Sequence, residues 1–262
     1  IRDRVKGLYT AYTGMINEQN RMDIMTNNLA NASTVGYKKE SSTSQSFDDV
    51  LTVKIKDQSV GMRNVQRLGV KNPGVKIGEN YTDYSQGSFR ITGNTYDLAL
   101  SGEGFFAIEF TNKAGETDTK YTRAGQFTLN KDGYLVTEEG DYVLDTQNRR
   151  IRLNTLIDSS ITDDGTIYQN GQAVAKIQVT DFEDYDYLEK YGETYYQPIQ
   201  GAKTIAAKAQ VKSGYLEMAN VQIVSEMVNL ISITRAYESN QKVVQTIDDT
   251  LDVAVNQIGR VQ

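Results

Sequence analysis

The feature that most constrains this chain is a run of apolar residues at its C-terminal end. Stepping alternately by four and three residues from Ala219 reaches Ile223, Glu226, Leu230, Ile233, Tyr237, Asn240, Val244, Ile247, Leu251, Ala254, Ile258 and Val261. Eleven of these thirteen positions, spread over 43 residues, are apolar, and neither Gly nor Pro interrupts the run before Gly259. An apolar period of about 3.5 residues keeps one stripe on the same side of a helix, and sustained over about six heptads it is the pattern of a coiled-coil seam. Ordinary globular helices average about 11–12 residues, so the run predicts a long helix whose stripe meets other helices along its length. A polar residue inside such a seam, here Asn240, sets register at some cost in stability. A long core helix in a monomeric bundle is the alternative.

A second amphipathic helix is predicted over residues 5–30. The positions Val5, Leu8, Tyr12, Met15, Gln19, Met22, Thr26 and Leu29 include six apolar residues of eight. Ser33, Thr34 and Gly36 then end it, because Gly past a helix end adopts the left-handed conformation cheaply. Two amphipathic helices at opposite ends of one chain cannot bury both stripes against each other alone. The remainder predicts self-association by head-to-tail contact, as a polymer or ring, with the ends of the free monomer partly unfolded until assembly.

Between the helices the apolar period changes to two. Ala173, Ala175, Ile177 and Val179 alternate with Val174, Lys176, Gln178 and Thr180, the pattern of a half-buried strand. Turn signals recur at Thr92-Gly93-Asn94, Lys131-Asp132-Gly133, Asp163-Asp164-Gly165 and Asn170-Gly171. Aromatic and β-branched runs lie between them at Phe105–Phe110, Tyr121–Leu129, Tyr134–Thr137 and Tyr142–Leu144, and both prolines, Pro73 and Pro198, sit near the flanks. The fold class is therefore α+β: long N- and C-terminal helices pairing as a coiled-coil-like domain, with an inserted antiparallel all-β domain. The boundaries read as 1–40 for the N-terminal helix, 41–80 for a polar extended connector, 81–205 for the β domain and 206–262 for the C-terminal helix. Within the connector, Lys54-Ile55-Lys56 and Val75-Lys76-Ile77 are candidate short strands.

Composition removes most chemistry. With 262 residues the chain allows one large domain or two ordinary ones. It has no Cys, which excludes disulfide scaffolds, thiolate nucleophiles and Cys-ligated metal, and no His, which removes the commonest general base and metal ligand. The net charge of −6 is uneven: residues 1–40 and 41–80 carry +2 each, 81–205 carry −9 and 206–262 carry −1. Without a basic face, nucleic acid is not an expected partner. The mean hydropathy is −0.51, and no apolar run approaches the ~18 residues of a spanning helix. No apolar segment followed by a small-residue cleavage site opens the chain, so no cleavable secretory signal is expected.

The remaining candidates for chemistry are weak. Gly102-Glu103-Gly104 begins like a dinucleotide fingerprint, but Phe105-Phe106 follows where a Gly and a helix start are required, so a tight turn feeding a strand is the better reading. Asn130-Lys131-Asp132-Gly133 and Asp163-Asp164-Gly165 lack the bidentate Glu of a calcium loop and read as hairpin turns. The acidic run Asp181–Asp186, with Tyr185 and Tyr187, could supply a carboxylate pair for glycoside chemistry, although a solvated edge accounts for it better. No nucleophile elbow and no phosphate loop is present. No catalytic residue, metal, cofactor or small-molecule substrate is expected.

Three groups of residues resemble one family. Gly7-Leu8-Tyr9-Thr10-Ala11-Tyr12-Thr13-Gly14-Met15, with Asn27-Asn28-Leu29-Ala30-Asn31-Ala32-Ser33-Thr34-Val35-Gly36-Tyr37-Lys38, is similar to the N-terminal signature of bacterial flagellar rod and hook proteins. Gly214-Tyr215-Leu216-Glu217-Met218-Ala219-Asn220-Val221, with Glu226-Met227-Val228-Asn229 and Arg235-Ala236-Tyr237-Glu238-Ser239-Asn240, resembles its C-terminal hallmark. Gln86-Gly87-Ser88-Phe89, Asp97-Leu98-Ala99, Tyr121-Thr122-Arg123-Ala124-Gly125 and Tyr134-Leu135-Val136-Thr137 are similar to stretches of its β domain. The resemblance runs in order over nearly the whole chain. Within the family, the length and single β domain are most similar to distal-rod members, with proximal-rod and hook members as the alternative.

The resemblance implies a structural subunit that polymerises into a helical tubular shaft and carries motor torque to the hook and filament. Its implied partners are copies of itself, the proximal rod, the hook and other axial proteins, the flagellar type III export apparatus, and a surrounding bushing ring. Its implied place is the flagellar basal body, outside the cytoplasmic membrane. A chain without Cys suits folding there. The seam residues expected to carry assembly are Leu8, Met15, Met22, Leu29, Ile223, Leu230, Ile233, Tyr237, Asn240, Val244, Ile247, Leu251 and Ile258. The family motif residues are Asn27, Asn28, Asn31, Thr34, Gly36, Arg235, Tyr237 and Glu238, the three asparagines either bonding neighbouring backbone or forming a polar helix face. Phe47 and Leu51 resemble a short hydrophobic export motif, and residues 51–80 resemble a rod-specific stretch associated with stiffness. A secreted β-domain adhesin and a carbohydrate-active protein are the rivals from other classes; an adhesin would keep its fold without residues 1–40 and 206–262.

Overall fold

A computed structural model describes residues 2–48, 50–55, 65–71, 74–113 and 115–258. The class is α+β, with one long helix near each end and antiparallel strands between. The chain divides into two compact units: Ile1–Leu29, Glu40–Thr82 and Ile223–Gln262 form the first, and Ala30–Lys39 and Asp83–Gln222 the second. Residues 206–222 thus belong with the β unit, and the stretch expected as a connector belongs with the helices.

In the first unit, α1 spans Arg2–Ala30 and α2 spans Ile223–Ile258, 29 and 36 residues respectively. Strand β1 (Glu40–Ser46) is followed by β2 (Val50–Ile55), β3 (Val65–Lys71) and β4 (Val75–Thr82). β1 pairs with β4 from Glu40↔Thr82 to Ser46↔Val75, and β2 pairs with β3 from Val50↔Lys71 to Ile55↔Val65. The polar stretch is therefore two nested two-stranded ladders, β2–β3 lying in sequence between β1 and β4. Both candidate short strands fall inside them, at β2 and β4, apart from Lys56, which lies outside the described residues. A two-stranded ladder is marginal alone in water, and here side chains tie it to α1. Asn17 Nδ2 donates to Ser44 Oγ at 2.9 Å, Tyr9 stacks at 6.5 Å from Phe47, and a Cβ on Gly74 would stand only 2.4 Å from Thr13 Oγ1.

The second unit opens with β5 (Phe89–Ile91), β6 (Leu98–Ser101), β7 (Phe105–Thr111) and β8 (Thr117–Thr122). There follow β9 (Phe127–Leu129), β10 (Leu135–Thr137), β11 (Tyr142–Val143), β12 (Ser159–Ile161), β13 (Thr166–Gln169) and β14 (Gln172–Lys176). It closes with β15 (Val179–Phe182), β16 (Leu188–Tyr191), β17 (Tyr195–Pro198), β18 (Thr204–Ala206), β19 (Gln210–Ser213) and β20 (Tyr215–Glu217). A nine-stranded sheet runs in the order β16-β17-β8-β7-β11-β10-β9, with β15 pairing β7 and β18; β12-β13-β14 form a separate meander. The first two strands are laddered to the last two: β5 with β20 and β6 with β19.

Turn chemistry explains several corners. Asn170 and Gly171 both take positive φ, 51° and 76°, the geometry of a tight hairpin between β13 and β14. Gly102 and Gly104 have φ of 113° and 134°, so the Gly-Glu-Gly triplet is a bend feeding β7. The single strand expected over 173–180 is two: β14 ends at Lys176 and β15 begins at Val179. Ile177 between them is buried in the larger core with Leu98, Leu100, Phe106, Phe127, Leu135, Ile151, Ile167 and Val211. A second, aromatic core gathers Phe105, Tyr121, Phe182 and Tyr196.

Candidate assembly faces and a buried junction

The C-terminal stripe is inward along the described helix. Glu226 and Ile233 are buried, and Leu230, Tyr237, Asn240, Val244, Ile247 and Leu251 are half-buried, while nearly all positions between them are exposed. Ile223 is the exception at 46% exposed, because the helix only begins there. The side chain of Ile258 lies outside the described residues. Two glycines of α1 meet this stripe: a Cβ on Gly7 would stand 3.6 Å from Ile247 Cδ1, and one on Gly14 would stand 3.0 Å from Asn240 Nδ2. Seven residues forward on α1 thus correspond to seven backward on α2, so the two helices run antiparallel at these contacts.

The phase of α1 differs from the expected one. Leu8, Met15, Met22 and Leu29 are half-buried, but Tyr12, Gln19 and Thr26 are exposed, Tyr12 by 55%. Between them Ala11, Thr13, Asn17, Ile24 and Asn28 are buried, and Glu18 and Met25 are half-buried. Gly7, Ala11 and Gly14 carry too little side chain to hold α2 at a distance, so the bulky Tyr12 is displaced from the contact side.

A second apolar stripe faces outward at the start of α2. Val224 is 77% exposed, and Met227, Val228 and Ile231 are each about half exposed or more. Tyr9, Tyr12 and Ile16 form a matching exposed stripe on α1. Both use the i, i+3/i+4, i+7 spacing of one helix face.

The motif asparagines divide by role. Asn28 is fully buried, its Nδ2 donating to Glu40 O at 2.8 Å and its Oδ1 accepting Glu40 N at 2.9 Å. Asn31 Nδ2 donates to Glu193 Oε2 at 2.8 Å, and Asn31 O and Oδ1 accept the Thr34 N–H and hydroxyl. Asn27 is exposed, as are Arg235 and Glu238. Phe47 is half-buried beside Tyr9, and the side chain of Leu51 lies outside the described residues.

In the second unit, segments from both ends of the chain converge on a buried charge cluster. Glu217 Oε1 accepts Lys38 Nζ at 2.7 Å and the Gly87 N–H at 3.0 Å, and its Oε2 accepts Arg123 Nη1 at 3.2 Å. The three side chains are 0–3% exposed. Lys38 Nζ also donates to Ser85 O at 2.7 Å, and Gly36 N donates to Glu217 O at 2.8 Å. Burial holds the Lys38 amine below its ordinary value, against the pull of Glu217. Backbones press together around it: a Cβ would stand 2.2 Å from Ala124 N on Gly36, 1.9 Å from Met218 O on Gly87 and 1.7 Å from Leu98 O on Gly125. Nearby, Asn220 accepts Lys39 N at 2.7 Å and donates to Asp83 O at 2.7 Å. Lys38, Arg123 and Glu217 each lie within a motif of the sequence, but nothing local to those motifs marks them for a shared buried site.

The candidate carboxylate pair is spent locally. Asp181 accepts the Tyr185 hydroxyl at 2.7 Å and the Phe182 N–H at 2.8 Å, Asp184 accepts Asp186 N, and Glu183 pairs with Lys203. Among the described residues no acidic or His/Cys group of three is placed to hold a metal ion.

Two terminal helices flank an inserted antiparallel β unit in the sequence, and each helix carries an exposed apolar stripe, the makings of a structural, self-associating subunit. Three family models match in order: the flagella basal body rod protein over residues 8–38, the flagellar hook protein FlgE/F/G D1 domain over 99–171, and the flagellar basal body rod FlgEFG protein C-terminal over 212–258. The chain is 34% identical to the flagellar basal-body rod protein FlgG of Bacillus subtilis, over 96% of this chain and 98% of that protein. It is 34% identical to FlgG of Caulobacter vibrioides, over 94% and 97%. To the rod protein FlgF of the same organism it is 32% identical, over 97% and 98%. The chain belongs to the flagellar basal-body rod protein family and is a structural subunit of the rod.

Proposed function

We propose that the chain is a distal-rod subunit that polymerises into a helical tube, using its paired terminal helices as the inner assembly domain and the β unit, residues 83–222, as an outer domain. The observation that carries this is the double stripe of α2: one face lies against Gly7 and Gly14 of α1, while among the described residues Val224, Met227, Val228 and Ile231 stay 46–77% exposed. A free monomer exposing that stripe on α2, and Tyr9, Tyr12 and Ile16 on α1, carries apolar surface that a second copy buries. Torque then passes through many modest helix contacts loaded together.

The ladders at β1–β4 and β2–β3 supply the stretch expected to stiffen the shaft, since a hydrogen-bonded ribbon resists bending more than an extended single strand. The chain reaches its place through the flagellar type III apparatus and meets the proximal rod, the hook and a bushing ring. Val228→Asp with Ile231→Asp tests the assembly reading. Negative-stain microscopy and sedimentation of the purified variant are expected to show a folded chain that forms no tubes; tubes of normal length from this variant would sink it.

A further inference from the structure

The second unit is built so that its beginning depends on its end. β6 is almost wholly buried, yet its ladder partner is β19, more than a hundred residues later; β5 likewise pairs with β20. Val211 of β19 sits in the same core as Leu98 and Leu100 of β6. Backbone bonds repeat the connection: Gly214 N donates to Asp97 O at 2.8 Å, Met218 N to Ser88 O at 2.9 Å and Gly36 N to Glu217 O at 2.8 Å.

The charge cluster sharpens this dependence. Lys38 and Arg123 are two cations with 1–3% of their side chains exposed, and the anion they share is Glu217. Before Glu217 arrives, closing the unit around Lys38 and Arg123 would bury two positive charges without compensation, and desolvating an unpaired charge is among the costliest steps in folding. With Glu217 in place the ion pairs offset little more than the desolvation of their own charges, so the cluster is poorly suited to adding stability. It is well suited to discriminating a finished chain from an unfinished one.

We infer that Glu217 is a closure latch: the β unit completes its core only when residues 210–217 are in place, so a chain lacking that segment presents no folded β unit for assembly. The dependence runs through long-range pairing, which is entropically slow to form, and through charge, which blocks closure around a partial chain. A β module released from its flanks would not stand alone, because Lys38 comes from one flank and β19 and β20 from the other.

The test uses the full-length chain. In pulsed hydrogen exchange during refolding, amides of residues 98–122 are expected to gain protection in the same phase as those of 210–217; earlier protection of 98–122 overturns the inference. At equilibrium, Glu217→Gln is expected to reduce protection of 98–122 by about a hundredfold or more, as for a broken buried ion pair. Lys38→Met with Glu217→Gln is expected to recover part of that loss, because one of the two stranded cations is gone. Wild-type protection in Glu217→Gln, or no recovery in the double variant, overturns it as well.

Discussion

Asn28 and Glu40 meet as a rung of a ladder made by a side chain: the Asn28 amide donates to the Glu40 carbonyl at 2.8 Å and accepts the Glu40 N–H at 2.9 Å. A helix residue thereby supplies both bonds that a neighbouring strand would offer the first residue of β1. Asn28→Ala is expected to destabilise the chain by about 1–3 kcal/mol, the cost of leaving such groups unmade. Asn28→Asp would set a carboxylate oxygen against the Glu40 carbonyl and is expected to cost at least as much. Urea unfolding checks both, with hydrogen exchange at Glu40 locating the loss; wild-type stability in Asn28→Ala would remove the rung's significance.

The two glycines of α1 should respond differently to the same change. Gly→Ala in a helix interior gains about 1 kcal/mol from propensity. At Gly7 the new methyl would be in ordinary contact, 3.6 Å from Ile247, so Gly7→Ala is expected to raise Tm by a few degrees. At Gly14 the methyl would stand 3.0 Å from Asn240 Nδ2, so the gain is offset and Tm stays near wild type. Gly14→Leu is expected to fall well below both. Equal responses at the two sites would contradict the antiparallel register.

Charge on α2 should separate folding from assembly. Ile233 is 3% exposed, and Ile233→Asp buries an unpaired charge, so loss of several kcal/mol and of helical circular dichroism is expected. Leu230→Asp and Ile247→Asp, at half-buried positions, should lie between. Val228→Asp is expected to keep the wild-type Tm while abolishing motility in a complemented strain. Motility retained with Leu230→Asp or Ile247→Asp would count against the seam.

Gly36 tests two constraints at one position. Its φ of 70° favours glycine, and a Cβ there would stand 2.2 Å from the Ala124 nitrogen. Asn tolerates the left-handed backbone, yet it brings the same Cβ. Gly36→Ala and Gly36→Asn are therefore both expected to cost more than the ~1–3 kcal/mol of backbone strain alone. A tolerated Gly36→Asn would show that conformation matters there and close approach does not.

Asp141 gives a pH signature. Burial, aided by Glu139, pushes its carboxyl above the ordinary carboxylate range, opposed by the 2.8 Å hydrogen bond from the Tyr195 hydroxyl. The folded state therefore holds this proton more tightly than the unfolded one. The site's stability is greatest below the ordinary carboxylate value and is lost as pH rises through the raised one. Asp141→Asn is expected to be more stable than wild type at neutral pH, and the gap should close as pH falls through that window. A gap independent of pH would rule out this carboxyl as its source.

Legibility followed the range of the physics involved. The α2 stripe was readable because burial along a helix repeats with a local period, and Leu230, Ile233, Tyr237 and Val244 are inward where that period puts them. The phase of α1 was misread at Tyr12 because counting apolar residues gives weight to bulk. The contact is made instead by Gly7 and Gly14, whose value is their lack of it. The stretch 41–80 looked like a connector because serine and threonine are common to strands and loops; pairing of β1 with β4 and of β2 with β3 decided between them.

By itself the sequence determined the two long helices, the antiparallel character of the middle, the turns at Asn170-Gly171 and Gly36, and the family, all of which rest on residues near one another or on ordered motifs. Only the tertiary structure decided that Lys38, Arg123 and Glu217, up to 179 positions apart, share one buried site. Charged residues read singly are assigned to the surface; what reverses that assignment is a counter-charge and a set of close backbone contacts supplied from the far end of the chain, and no local pattern encodes such a meeting.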